Sequence, residues 1–338
     1  MKLTRAVAGA AVLSLCVLLA VQPAAAAAAG GNVEGTVREE VQKAIKADPG
    51  VGPALIRLVF HDCWVNGCDG SVLLDTTPSN SSSGVEKAAA NNIGLRGFEL
   101  IDAIKAKLGD AVSCADIVVL AGRDAAAILS RGRITYALKT GRRDGVVSSA
   151  AAADATLPQS TFEVSQLKGN FAKKNFTTEE LVVLSGAHAV GVSHLSSFKD
   201  RLNAATATPI DPSYAAALAR DVEALKGQQN TTDPTERFNI RDMDAGFRNA
   251  SGFDATGVNT TAVGVLDNSF YHATLQNMVL LKSDWVLRTD GEASGSLSDF
   301  RDDAAKWEAE FAAAMVKLSN LPAEGTRFEI RKSCRSTN

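Results

Sequence analysis

The chain has 338 residues, of which 46% are hydrophobic and 22% are charged, and its formal net charge is −3. This composition is that of a globular protein and excludes a disordered or fibrous chain. The small net charge, without a run of five like charges, argues against binding to nucleic acid or to an anionic membrane surface. At about 150 residues per domain, the length predicts two folding units or one large unit with two halves.

The first residues have the pattern of a targeting signal. Lys2 and Arg5 precede an apolar stretch at residues 6–21, and small residues at 24–29 supply a cleavage context. Together they predict a secretory signal over residues 1–29. A membrane anchor is the alternative, but the stretch is shorter than the ~20 apolar residues that a spanning helix needs. We therefore expect an exported chain without a membrane segment.

Apolar residues three and four apart, in segments rich in Ala and poor in Pro, predict a mainly α fold. Helices are expected at residues 34–46, 51–63, 97–107, 114–129, 160–173, 177–187, 268–281 and 303–319. The helices that start at Ser160 and Thr177 each begin with a capping-box sequence. Polar, Gly-containing loops are expected at 75–85 and 227–265.

Export has consequences for the cysteines and asparagines. Cys16 leaves with the signal, and the even number that remains implies two disulfides. The remaining cysteines are Cys63, Cys68, Cys114 and Cys334. They permit three pairings, and free thiols are a further alternative. A local Cys63–Cys68 bridge would leave the other two to tie the C-terminus to the first half. Five sequons support export: Asn80, Asn175, Asn230, Asn249 and Asn259.

An arginine and a histidine lie four residues apart in an otherwise apolar predicted helix. Arg57 and His61 project from one face at this spacing, and burial of both without a purpose would be costly. Peroxide cleavage needs one group that moves a proton between the two oxygens and one positive charge that stabilises the leaving anion. A surface pair on an amphipathic helix is the alternative, which these two residues alone do not exclude.

The next ten residues form an oxygen-rich loop. Two carboxylates and a hydroxyl come from Asp62, Asp69 and Ser71. The glycines between them allow backbone carbonyls to serve as further ligands. Such a set suits a hard cation such as Ca²⁺. An ordinary polar turn is the alternative.

The sequence of residues 57–71, R-x-x-F-H-D-C-x-V-N-G-C-D-x-S, resembles the distal haem signature of the secretory (class III) plant peroxidases. Residues 184–191, LSGAHAVG, resemble the proximal haem-ligand motif of the same family. Shorter matches extend the resemblance over about residues 34–335. It implies a haem peroxidase fold within residues 30–338, in which two helical halves, about 30–150 and 151–300, enclose one haem b, and a C-terminal helix returns to the first half.

The resemblance implies roles for residues on both faces of the haem. His188 would be the axial iron ligand, and Asp284 would accept a hydrogen bond from its other ring nitrogen. On the distal face, His61 would accept a proton from peroxide and then donate it, while Arg57 would stabilise the departing oxygen.

Further residues of the pocket follow from the same resemblance. Asn91 would accept a hydrogen bond from the ring of the distal histidine. Asn92 is the alternative, because the stretch after Glu86 is one residue shorter than the family usually shows. Phe60 would form a wall of the pocket, and Pro158 would contact aromatic donors at the haem edge.

The resemblance also implies a distal calcium ion. Its ligands would be Asp62, the carbonyls of Val65 and Gly67, Asp69, Ser71 and, as an outer contributor, Glu86. The proximal calcium set departs from the family: Ala189 replaces a Thr, Asn259 or Thr260 and Ala262 replace an Asp and a Thr, and only Asp267 matches. We therefore predict one calcium ion rather than two.

The implied reaction is the reduction of hydrogen peroxide to water, with one-electron oxidation of small phenolic donors. The implied protein is a monomer, located outside the cell or in the cell wall rather than in the vacuole. Two departures from the family are a Trp at position 64 in place of Phe, and the loss of both partners of two further disulfides. The alternatives are a catalytically idle haem or glycan-bearing wall protein and a metal-dependent hydrolase built on His61 and Asp62.

Overall fold

The computed structural model of the chain describes residues 32–203, 208–226, 239–242 and 264–338. The expected signal at residues 1–29 lies outside these ranges, as does most of the loop expected at 227–265. The described residues are mainly helical, as predicted. Among them, no helix combines the length and apolarity needed to cross a bilayer.

Four helices make up the first part of the chain: α1 (Val33–Ala47), α2 (Val51–Asn66), α3 (Phe98–Leu108) and α4 (Cys114–Leu129). Helix α2 packs along α4, while α1 and α3 cover the rest of α4. The two backbones approach closely at Gly122, where a Cβ would lie 2.3 Å from a side-chain carbon of Val59. Close packing between α2 and α4 thus fixes the helix that carries Arg57 and His61.

The later helices are α5 (Ala150–Thr156), α6 (Val164–Ala172), α7 (Thr178–Ser185), α8 (Pro212–Lys226), α9 (Ser269–Leu275), α10 (Lys282–Trp285), α11 (Gly291–Asp302) and α12 (Ala304–Ser319). Helix α12 packs on α7 and also touches α2, and α11 packs on α7 and α9. Buried rings of Tyr271, Phe300, Trp307 and Phe311 form the centre of this part.

Two short antiparallel pairs complete the described fold. β1 (Asp144–Gly145) pairs with β4 (Phe328–Glu329), and β2 (Val192–His194) pairs with β3 (Asn239–Asp242). In the first pair Asp144 is opposite Glu329, and in the second Ser193 is opposite Arg241, with an irregularity next to it. The first pair joins the C-terminal segment to the chain that follows α4.

The cysteines form the two disulfides Cys63–Cys68 and Cys114–Cys334. The expected number of two is therefore confirmed, and the alternative of free thiols is wrong. The second bridge spans 220 residues and lies next to the β1–β4 pair. Here the buried Arg331 guanidinium donates to the carbonyl of Cys334, and the backbone N–H of Arg331 donates to Asp144.

Some predicted helix limits differ from the structure. The helix expected from Ser160 begins at Val164, where Glu163 and Gln166 form the capping box. The Ser160 carbonyl accepts a hydrogen bond from the N–H of Ser283 instead. The helix expected over 268–281 ends at Leu275, because the chain turns through the left-handed region at Asn277 (φ 62°). Helices α5, α8, α10 and α11 were not expected.

Candidate active site

The buried helix α2 presents Arg57 and His61 on one face. Arg57 Nε donates a hydrogen bond to His61 Nε2 over 3.1 Å. A second guanidinium nitrogen, Nη2, donates to the backbone carbonyl of Asn91 over 2.7 Å. The His61 ring is only 9% exposed, so the surface-pair alternative is wrong.

The second nitrogen of the distal histidine contacts Asn92. His61 Nδ1 lies 2.6 Å from Asn92 Oδ1, and Asn92 Nδ2 donates to the backbone carbonyl of Glu86 over 2.7 Å. The expectation that the Asn91 side chain fills this role is wrong. In the shortened segment, two 3₁₀ turns bury Asn92 and leave Asn91 half-buried, with its carbonyl facing Arg57.

These contacts fix the tautomer of His61. The Asn92 amide oxygen accepts from the ring, so Nδ1 carries the proton and Nε2 keeps a lone pair toward Arg57. Burial, and then the charge of Arg57, lower the pKa of His61 to about 3. Burial also lowers the pKa of Arg57 to about 10, which leaves the guanidinium charged at neutral pH. The site thus holds a neutral imidazole next to a fixed positive charge.

His188 lies in a 3₁₀ turn, Gly186–Ala189, that directly follows α7. A Cβ at Gly186 would lie 2.6 Å from the Tyr271 hydroxyl and 2.7 Å from Trp307 Nε1, so only glycine fits there. Both of these polar groups donate to the last carbonyls of α7, including that of Val183. The end of α7 and the turn that carries His188 are therefore held by side chains of α9 and α12.

A buried carboxylate accepts a hydrogen bond from the His188 ring. His188 Nδ1 donates to Asp284 Oδ1 over 2.9 Å, and Asp284 is 2% exposed. Burial favours the neutral ring, but the charge and hydrogen bond of Asp284 outweigh it and raise the pKa of His188. Asp284 Oδ2 is buried and has no hydrogen-bond partner among the described residues. The contact leaves Nε2 of His188 as the nitrogen available to a metal.

The surroundings of both histidines fit a haem. The His188 side chain keeps 42% of its surface accessible, and Phe270 lies edge-on to it, with ring centroids 6.2 Å apart. In addition to burial and the charge of Arg57, the charge of His188 lowers the pKa of His61. One imidazole supported by a carboxylate and a second with a free lone pair beside an arginine suit an iron porphyrin.

Phe60, the expected wall of the pocket, packs against other aromatic side chains. Phe60 is half-buried, and its ring stacks on Trp64 with centroids 4.7 Å apart. Trp64 also contacts Phe171 and Phe176, and its indole N–H donates to Asn170 over 2.9 Å. The Trp that departs from the family pattern is thus fully accommodated. Pro158, the expected donor contact, is half-buried after α5.

The oxygen-rich loop is buried and rich in carboxyl groups. Asp62, Asp69 and Glu86 are almost inaccessible, and burial raises the pKa of all three, that of Asp69 to about 6. Ser71 bridges two of them, since its N–H donates to Asp69 and its hydroxyl to Glu86. Arg331 is the buried cation nearby, and it donates to two loop carbonyls.

Two buried carboxylate oxygens, one in this loop and one of Glu86 beside it, would suit a bound cation. Asp62 Oδ1 and Glu86 Oε2 are buried without a hydrogen-bond partner in the part of the chain that the structure describes. Unpaired buried carboxylate oxygens are costly unless a cation balances them. Within the described ranges, no three His, Cys, Asp or Glu side chains are arranged to hold an ion by themselves, so carbonyls and the Ser71 hydroxyl would have to complete the ligand set.

The proximal calcium set is described only in part. Ala189 and Asp267 are buried, and Asp267 accepts a hydrogen bond from the N–H of Ser269. Asn259, Thr260 and Ala262 lie outside the described residues. The expectation that this site holds no ion stays a prediction.

Comparison with known proteins decides the family. The family described as Peroxidase matches residues 37–303. Peroxidase 5 of Vitis vinifera is 39% identical over 91% of this chain and 88% of its own length, and Peroxidase 2 of Zea mays is 40% identical over 91% and 86%. The chain belongs to the plant class III peroxidases. Peroxidase 1 of Zea mays is 37% identical over 100% of this chain and 91% of its own length.

Membership of the class III peroxidases confirms the resemblance found in the sequence. The chain is a peroxidase, and the family implies haem as the cofactor and hydrogen peroxide as the substrate. Sequence analysis placed Asn91 first as the partner of His61 and kept Asn92, which the structure shows in contact, as the alternative. The signal that pointed to it was the one-residue shortening after Glu86.

Proposed function

We propose that this class III peroxidase cleaves hydrogen peroxide with His61 and Arg57 on one haem face and binds the iron through His188 on the other. Small phenolic molecules would then return the enzyme to its resting state by one-electron steps. The observation that carries the proposal is the hydrogen-bonded row from the Glu86 carbonyl through Asn92 and His61 to Arg57.

Each member of this row has a defined task. The Glu86 carbonyl orients the Asn92 amide so that its oxygen faces the ring, and Asn92 keeps the ring proton on Nδ1. His61 Nε2 is therefore free to take the proton from one peroxide oxygen and to deliver it to the other. The Arg57 guanidinium, anchored on the Asn91 carbonyl, stabilises the negative charge that develops on the leaving oxygen.

On the opposite face, His188 would hold the iron through Nε2. Its Nδ1–H donates to Asp284, which orients the ring and makes it a stronger ligand. When bound, the haem supplies the two electrons that reduce peroxide to water. Replacement of those electrons requires donors, for which the half-buried Pro158 would offer apolar contact. Small phenols match such a surface.

We also propose that the loop from Asp62 to Ser71 binds one Ca²⁺. Carboxylates of Asp62 and Asp69, the carbonyls of Val65 and Gly67, and the Ser71 hydroxyl would form an all-oxygen set of the kind calcium prefers. Support comes from the unpaired Asp62 oxygen and from the burial of three carboxyl groups, those of Asp62, Asp69 and Glu86, at one place. Glu86 would act from outside the first set of ligands, through its bond with Ser71.

Export to the cell exterior or wall, as a monomer, is part of the proposal. Two disulfides occur in the structure, and such bonds persist in oxidising compartments outside the cytosol. The Asn-x-Ser/Thr sequons agree with passage through a secretory pathway.

The test is a spectrum of the haem-loaded protein before and after addition of hydrogen peroxide. The His61→Leu variant should keep the haem absorbance, while the rate of peroxide cleavage falls by a factor of at least ~10² to 10⁴, the usual value of a positioned base. His272→Leu, in α9 and outside the row, serves as a control. Peroxide cleavage at an unchanged rate in His61→Leu would refute the role of that ring.

The same spectrum tests the alternatives. Haem absorbance that never responds to peroxide would favour a catalytically idle wall protein, and the absence of any such absorbance would favour a hydrolase. The row of Arg57, His61 and Asn92, together with the His188–Asp284 pair, is complete in the structure, which argues against both.

A further inference from the structure

A lysine of this chain contacts the proposed calcium loop. Lys174 follows α6, its side chain is 15% exposed, and its Nζ donates to the backbone carbonyl of Val65 over 3.2 Å. That carbonyl belongs to the last turn of α2 and is one of the oxygens that the proposed distal calcium site would use. The Lys174 ammonium group and the proposed calcium ion would therefore both contact the Val65 carbonyl oxygen.

The same ammonium group pairs with a carboxylate from the C-terminal part of the chain. Lys174 Nζ lies 3.2 Å from Glu324 Oε1. The Glu324 backbone N–H donates to the Asn66 carbonyl over 2.7 Å, and the Cys68 N–H donates to the Leu321 carbonyl over 3.2 Å. Two backbone hydrogen bonds thus fix residues 321–324 on the loop and hold Glu324 beside Lys174.

Gly67 shows how closely the two segments pack. It has a positive φ of 79°, and a Cβ at this position would lie 2.0 Å from the Pro322 carbonyl oxygen. Any other residue would push residues 321–324 away from the loop. The contact between Lys174 and Glu324 is therefore built on a tight backbone interface.

We infer that Lys174 and Glu324 set the calcium affinity of the distal loop in opposite directions, Lys174 weakening binding and Glu324 strengthening it. The inference rests on the calcium site of the proposed function. It assigns to this pair a regulatory role that neither the haem nor the peroxide chemistry requires.

The physical argument is electrostatic. Calcium binds oxygen ligands at about 2.3–2.6 Å, so an ion on the Val65 carbonyl would lie within roughly 6 Å of the Lys174 ammonium. Like charges at this distance repel strongly where protein replaces water. The Glu324 carboxylate cancels part of that repulsion. It is 66% exposed, and solvent screening makes its effect the smaller of the two.

A purely structural reading of Lys174 makes a different prediction. Positive side chains near helix C-termini stabilise the last carbonyls, and Lys174 satisfies this description at the end of α2. On that reading, loss of its charge would lower the stability of the fold and leave calcium affinity unchanged. Calcium affinity therefore separates the two readings.

The experiment measures calcium binding by titration calorimetry on haem-loaded protein that has been stripped with a chelator. Lys174→Met should bind Ca²⁺ about tenfold more tightly than wild type, which corresponds to about 1.4 kcal/mol. Glu324→Gln should bind about threefold more weakly, and Lys174→Arg, which keeps the charge, should resemble wild type. Melting temperatures with and without Ca²⁺ give a second readout.

A matched control is the neighbouring lysine. Lys173 is exposed, and its ammonium has no ion-pair or hydrogen-bond partner among the described residues. Lys173→Met removes the same charge and should leave calcium affinity within about twofold of wild type. If Lys174→Met binds Ca²⁺ no more tightly than Lys173→Met, the inference is overturned. If the wild-type protein binds no Ca²⁺ at all, the calcium site of the proposed function fails instead.

Discussion

The contact between Asn92 and His61 provides the sharpest test of the distal site. The perturbation is Asn92→Val, which keeps a side chain of similar size and removes the amide. His61 Nδ1 then loses the oxygen that lies 2.6 Å away. No longer held as a donor at Nδ1, the ring is free to place its proton on Nε2, the nitrogen that must accept the proton of peroxide.

The magnitude follows from this hydrogen bond. A buried donor left without an acceptor costs about 1–3 kcal/mol, and each 1.36 kcal/mol of barrier is a factor of ten in rate. If the whole cost enters the barrier, the rate of peroxide cleavage falls roughly 5-fold to 150-fold. Haem binding should not change, because Asn92 is not among the residues proposed to hold the iron.

The assay is stopped-flow mixing of haem-loaded protein with hydrogen peroxide, with haem absorbance as the signal. Asn91→Val is the matched control, because only the backbone carbonyl of Asn91 takes part, as an acceptor for Arg57. We expect the control to retain the wild-type rate within about twofold. A larger loss in Asn91→Val than in Asn92→Val would refute the assignment and restore the register first expected from the sequence.

Three further outcomes are expected. Asp284→Asn should make the reduction potential of the bound iron more positive, as measured by spectroelectrochemistry, because His188 loses the charge that raises its pKa. Consider protein in free Ca²⁺ at about 100 times the dissociation constant. Removal of that calcium should lower the free energy of unfolding by about 2.7 kcal/mol and the melting temperature by roughly 5 °C. Loss of the Cys114–Cys334 bridge in a double Ser variant should cost up to about 5 kcal/mol in chemical unfolding, since the bridge spans 220 residues.

Much of the fold was predictable where local signals and tertiary packing agree. The helices at α2 and α4 begin within a residue of their predicted starts, because long apolar segments of helical periodicity are buried on most sides. The capping box at Thr177 forms as predicted, with Thr177 and Glu180 exchanging both hydrogen bonds. His188 lies three residues beyond the end of that helix, and its assignment rests on the motif at residues 184–191 rather than on the capping box.

Tertiary contacts explain the helix limits that were wrong. Asn277 ends α9 in the left-handed region, and its amide oxygen accepts a hydrogen bond from the Trp285 indole over 2.8 Å. Apolar residues 278–280, which continue the helical pattern in the sequence, are instead buried outside any helix. Hydrophobic periodicity alone does not predict the hydrogen bond from Trp285, eight residues later, that Asn277 accepts.

The error at Asn91 has a similar origin. Both asparagines lie in one short 3₁₀ turn, Ala90–Asn92, for which the sequence carries no periodicity. The choice between them depends on the position of the Glu86 carbonyl, to which Asn92 donates. That position is set in turn by the Glu86 N–H, which donates to the buried Ser148 hydroxyl over 3.0 Å. A partner 62 residues away in sequence thus selects which asparagine faces His61.

Glu86 connects the two parts of the distal site. Its carboxylate accepts from Ser71 in the proposed calcium loop over 2.7 Å, while its backbone carbonyl accepts from Asn92 over 2.7 Å. The loop and the catalytic histidine therefore share one residue, and a shift of Glu86 moves the acceptor that holds His61. Because calcium would balance the buried charge that surrounds Glu86, its removal should loosen the Asn92–His61 contact. Calcium removal and Asn92→Val should then slow peroxide cleavage by the same route. When both are combined, the fold-loss in rate should be smaller than the product of the two separate fold-losses.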